Sequence, residues 1–105
     1  MNPEIILTAR KLRTDLEALA AIVDFRVFGS QARGDAGSDS DLDVFVEVES
    51  ADDALKDRMR HAAWEIAFDS GIVISLLIFS RNELENTPLR SSPFVVNALS
   101  EGIAV

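Results

Sequence analysis

Between Phe28 and Val48 the chain reads FGSQARGDAGSDSDLDVFVEV, with aspartates at 35, 39, 41 and 43. From residue 41 on, Asp41, Asp43, Phe45 and Glu47 alternate with Leu42, Val44, Val46 and Val48. That period of two describes a half-buried strand, on which residues two apart point the same way with Cα atoms roughly 6.6–6.8 Å apart. Asp41 and Asp43 could then converge on one divalent cation, or bracket two about 3.5–4 Å apart. Left unneutralised at 4 Å, two carboxylates repel by about 4 kcal/mol at an effective dielectric near 20. An all-oxygen donor set with no His or Cys nearby favours Mg²⁺, or Mn²⁺, over Zn²⁺. A calcium loop counted from Asp39 would need Gly at its sixth position and Glu at its twelfth, where this chain has Val44 and Ser50.

The same stretch opens with Gly29 and Ser30. A glycine ending a strand lets a phosphate approach the backbone, and the amides of the following turn can hold an anion. Ser30 adds a hydroxyl donor. Arg33 is a cation in the same turn, and fits a surface ion pair nearly as well as a phosphate contact. Phosphate donors at one end and metal-binding carboxylates at the other make a small nucleoside-triphosphate site. Asp35 and Asp39 read as loop carboxylates that cap or solvate.

These residues need elements to position them. Pro3 to Ala20 predicts a helix with Asn2 as N-cap, from apolar residues at Ile5, Ile6, Ala9, Leu12, Leu16 and Leu19. Val23 to Phe28 reads as a short buried strand, and Gln31 to Ser40 as loop, with a helical turn from Ser30. The alternating strand runs from Leu42 to Glu49. A helix follows from Ser50 to about Phe68, its stripe formed by Leu55, Met59, Ala62, Ala63, Ile66 and Ala67. GIVISLLIF, Gly71 to Phe79, is apolar on both faces and predicts a central strand. SRNEL begins a helical turn. A last helix has Ser92 as cap, Pro93 at its first position and Gly102 as stop, with IAV as a short strand. The order predicts one α/β (α+β) domain over residues 1–105, a small mixed sheet with helices packed on one face. The aspartates would sit on the other, open face.

Composition narrows the partners. The chain has 105 residues, 48% hydrophobic and 27% charged, which suits a single folded core, and it has no cysteine for disulfides or thiolate metal sites. No signal peptide or membrane-length apolar run is evident, so a cytoplasmic protein without membrane association is expected. The net charge of −8 disfavours gripping long nucleic acid, while an anionic small molecule can bind if it brings divalent metal. His61 reads as an ordinary partly buried histidine, and Trp64 as packing.

The run GSQARGDAGSDSDLDVFV resembles the signature of the polymerase-β-like nucleotidyltransferase superfamily: Gly-Ser, about ten residues, then Asp-x-Asp. With ARG after the serine, SDSDLDV around the acids and SEGIAV at the end, the whole chain is similar to its minimal nucleotidyltransferases. The resemblance implies ATP as donor, its triphosphate on Gly29 and Ser30, and Mg²⁺ on the catalytic pair Asp41 and Asp43. It also implies transfer of a nucleoside monophosphate with loss of pyrophosphate, through two metals. Members of this size often act as antitoxins that transfer AMP to a small helical toxin partner, which is the expectation here. The family's third acid falls in the strand GIVISLLIF, where the alignment gives Ser75; Asp69, Glu83 and Glu85 lie outside it. Ser75 itself reads as a packed strand residue. General-base work typically supplies 10²–10⁴-fold, so acceptor activation should suffer without that acid. The alternative is a catalytically weak binding module that neutralises or scaffolds its partner by contact. A domain this small offers one wall of a cleft, so a homo- or hetero-oligomer is expected to complete it.

Overall fold

The computed structural model describes residues 1–34 and 41–105, so Asp35 and Asp39 lie outside the described residues. Helix α1 (Pro3–Glu17) leads into β1 (Ile22–Phe28), a short α2 (Gly29–Arg33), β2 (Leu42–Val48), α3 (Asp53–Ser70) and β3 (Ile74–Ser80). Then come α4 (Arg81–Asn86), a 3₁₀ turn (Pro88–Ser91), α5 (Pro93–Glu101) and β4 (Ile103–Ala104). The strands form one sheet in the order β3-β2-β1-β4, with β2 parallel to β3 and β1 antiparallel to both β2 and β4.

Local chemistry sets most of the ends. The Asn2 side chain accepts from the Glu4 amide, with Pro3 at the first helical position of α1. Asp52, two residues after Ser50, caps α3 by accepting from the Leu55 amide. Pro93 and Gly102 bound α5 as its sequence predicts, although the Ser92 side chain makes no cap bond.

Strand β2 organises the molecule. Its residues Leu42, Val44, Val46 and Val48 are fully buried. They pack with Phe25 and Val27 against Ile5, Ala9, Leu12 and Leu16 of α1 and Met59, Ala63 and Ile66 of α3. The two long helices therefore cover one face. On the opposite face Phe45 is also fully buried, in a smaller cluster with Phe28, Leu84, Val95 and Ala98. Helices α4 and α5 thus cover the middle of that face, and its open part narrows to the end that carries Asp43.

Two expectations are corrected. Helices pack on both faces of the sheet rather than on one. Strand β3 is not central but an edge strand, paired only with β2 among the described residues. Its apolar character on both faces arises because helices lie above and below the sheet, which says nothing of neighbours in the sheet plane. Val73, just before the strand, is 62% exposed.

Candidate active site

Three strands bring the site together in a single row. In the register of the sheet, Phe28 of β1 pairs with Asp43 of β2, and Asp43 with Ser75 of β3. Gly29 follows Phe28 directly and turns the chain into α2 with φ 71°, the left-handed region that favours glycine. A Cβ at this position would overlap Asp43 Oδ2, so the Asp43 carboxylate packs against bare backbone. Ser30 and Gln31 lie in α2, half-buried and buried, and Gly34 ends the helix with φ 78°. Arg33 reaches Glu101 of α5 at 3.4 Å, between two half-exposed side chains.

Asp41, just ahead of β2, is exposed, whereas Asp43 is half-buried within it. Burial, and then the charge of Asp41, push the Asp43 carboxyl above the usual carboxylate range, while Arg33 opposes the shift. Gly29, Asp41, Asp43 and Arg33 thus share one electrostatic neighbourhood. Two like charges on a partly dehydrated ledge fit a hard divalent cation.

Ser75 is exposed rather than packed, and faces a cleft of about 310 Å³ lined by Phe28, Asp43, Ser75, Leu77 and Phe94. Sequence reading missed Phe94, which stands 66% exposed at the start of α5. An aromatic directly after the Pro93 helix start, off the buried stripe of Val95 and Ala98, was the available signal.

None of the acids flanking β3 stands beside Asp43 in the sheet, where Ser75 does. Asp69 is exposed in the last turn of α3. Glu83 closes a capping box with Ser80 and pairs with Lys56 at 2.5 Å, while Glu85 lies 3.8 Å from Arg81. Among the described residues no three acidic or histidine side chains gather as a metal cage. Glu47 shares the face of Asp43 but pairs with Arg81 at 3.7 Å, four residues or roughly 13 Å further along the strand.

One further expectation changes. His61 is exposed, 3.0 Å from Glu65, because the buried stripe of α3 runs through Met59, Ala63 and Ile66. Trp64 packs as read, stacking between His61 and Phe68 with ring centroids 5.9 and 5.6 Å away, on a surface where it is 60% exposed. A larger groove of about 590 Å³ beside Trp64, Phe68 and Val73 is apolar and holds no carboxylate.

The family model of the nucleotidyltransferase domain matches residues 9–105. The chain belongs to this family. No curated protein matches it. Among solved structures, this nucleotidyltransferase domain is similar to one assigned as a minimal nucleotidyltransferase, at 26% identity and TM-score 0.55, with 92% of this chain and 95% of that one covered. It is also similar to a chain from a toxin–antitoxin crystal structure with AMP-PNP, at 20% identity and TM-score 0.62, covering 98% and 72% of the two chains. A third similarity is to a double aspartate-to-glutamate variant of the toxin–antitoxin pair MntA–HpeT, at 19% identity and TM-score 0.58, covering 98% and 71%. The fold is the polymerase-β-like nucleotidyltransferase fold. Among the described residues of the domain, no helix is long and apolar enough to cross a membrane.

Proposed function

We propose that this nucleotidyltransferase domain binds ATP through Mg²⁺, or Mn²⁺, and transfers AMP to a protein acceptor as the antitoxin of a toxin–antitoxin pair in the cytoplasm. The carrying observation is the Asp43 carboxylate, raised by burial and by Asp41, and packed against the bare backbone of Gly29. Family membership supports the reaction class, and the likeness to toxin–antitoxin structures, one with a nucleotide analogue, supports the donor and the biological role.

In this reading Asp41 and Asp43 hold the metal. The metal, when bound, neutralises phosphate charge and orients the triphosphate. The turn from Gly29 into α2 offers backbone amides to the phosphate chain, the Ser30 hydroxyl donates to a phosphate oxygen, and Arg33 sets a positive charge beside the same group. Burial of Asp43 lowers the local dielectric and strengthens each of these contacts. The acceptor, a small helical protein, completes the cleft as the second member of an oligomer. Incubating the domain with that protein, Mg²⁺ and ATP labelled on its α-phosphate should label the acceptor, and Asp41→Asn should abolish the labelling.

A second reading has a specific observation behind it: the exposed Ser75 stands beside Asp43, where the resemblance implies a third acid. A domain that works by contact alone would neutralise its partner equally well with Asp41→Asn. Loss of neutralisation in that variant favours the enzyme.

A further inference from the structure

Within the AMP-transfer reading, on which this inference rests, we propose that the acceptor protein presents an extended polypeptide segment, laid along the edge of β3 that is unpaired among the described residues. It passes a hydroxyl across Ser75 to the phosphorus held beside Asp43. The first reason is the direction of attack. In phosphoryl-type transfer the attacking and leaving oxygens stand roughly in line across the phosphorus. With the pyrophosphate on Gly29 and Ser30, after β1, and the carboxylates on β2, the attacking oxygen must come from the far side. The row Phe28, Asp43, Ser75 makes that side β3.

The second reason is the shape of that side. Next to Asp43 lies the cleft of about 310 Å³ bounded by Phe28, Ser75, Leu77 and Phe94. Ser75 has the smallest side chain between Ile72 and Phe79, so it leaves a gap between Asp43 and the sheet edge. Strands stand about 4.7–4.9 Å apart, and a strand added beyond β3 would need to reach across just this one residue.

The third reason is the edge itself. From Ile72 to Phe79 there is no charged residue and no proline, and the β2–β3 register runs unbroken from Leu42↔Ile74 to Val48↔Ser80. Edges are normally blunted by lysine, proline or a bulge. The Leu42 amide donates to the Val73 carbonyl at 2.9 Å, so strand alternation turns the peptide groups of Ile74, Leu76 and Ile78 outward. Main-chain pairing there would supply affinity, and the exposed Val73 and Phe94 would favour apolar residues around the hydroxyl. A second copy of this chain, itself carrying −8, fits less well.

In the transfer, the acceptor oxygen bonds to the α-phosphorus and the bond from that phosphorus to the oxygen bridging to the β-phosphate breaks. Pyrophosphate leaves, and the hydroxyl proton passes to water at the open mouth of the cleft. The test uses α-phosphate-labelled ATP, Mg²⁺ and a library of peptides of about nine residues with one central Ser, Thr or Tyr. Label should enter the peptides, and Val73→Lys should cut transfer about tenfold or more while ATP affinity by calorimetry stays within about twofold. Ser75→Leu, which fills the gap, should lose transfer about tenfold or more. Intact ATP binding with no peptide labelled overturns the proposal, as does transfer indifferent to Val73→Lys and Ser75→Leu. A dimer that Val73→Lys dissociates in sedimentation would give the edge to a second copy and also overturn it. Failure of the wild type to bind ATP would instead remove the AMP-transfer reading, and this inference with it.

Discussion

The start of β2 and the start of α4 each place a carboxylate near a strand end, and the fold treats the two in opposite ways. Glu83 accepts from the Ser80 amide at 3.1 Å and from Lys56 Nζ at 2.5 Å, while its own amide donates to Ser80 Oγ. The Lys56 hydrogen bond above all holds its carboxyl below the usual range. Asp43 instead loses water to its neighbours and faces Asp41, and its carboxyl is pushed up. Glu83 receives from the chain everything an ionised carboxylate needs, and so supports the structure. Arg33 offsets only part of the shift at Asp43, so a further positive charge would stabilise its ionised form, the pattern of a candidate binding residue.

Breaking the functional end should have the largest effect. Asp43→Asn or Asp41→Asn should weaken Mg²⁺-dependent ATP binding by about a hundredfold or more, beyond the 10–100-fold typical of groups that only support a metal ligand. Next comes Gly29→Ala, which forces a side chain onto Asp43 and into φ 71°. It should cost about 1–3 kcal/mol in denaturant unfolding and displace the carboxylate, lowering ATP affinity as well.

The structural carboxylate should register in stability alone. Glu83→Gln should cost about 1 kcal/mol with ATP binding unchanged. A carboxyl whose folded pKa is depressed stabilises above its unfolded pKa, and that contribution fades as pH falls through the folded value. The gap between wild type and Glu83→Gln should therefore close on acidification. The smallest effect sharpens the contrast. Because the Asp43 pKa is raised in the folded state, the native chain holds that proton more tightly than the unfolded one. Stability without ligand should then fall as pH rises from the ordinary carboxylate range through the raised value. Asp43→Asn should be more stable than wild type at neutral pH by less than about 1 kcal/mol, the gain vanishing at low pH.

The candidate site was the more legible of the two in sequence. Strict alternation from Asp41 to Val48 fixed both faces of β2, and the Gly29–Ser30 pair marked the turn that Asp43 packs against. What stayed hidden depended on partners distant in sequence. Phe45 looked outward by its period and is buried because α5, some fifty residues later, crosses over it. The apolar run of β3 reflects helices on both sides of the sheet and could not reveal an empty edge. The aromatic side of the cleft is formed where Phe94 of α5 meets Phe28 and Leu77, which no local pattern encodes.

The central claim is that Asp41 and Asp43 form a metal-dependent ATP site with Gly29 and Ser30. Calorimetric titration of ATP into the purified domain, with and without Mg²⁺, tests it most directly against Asp41→Asn and Asp43→Asn. The account predicts binding that requires Mg²⁺ and is lost in both variants. No binding by the wild type at millimolar ATP with Mg²⁺, or binding that both variants retain, would contradict it.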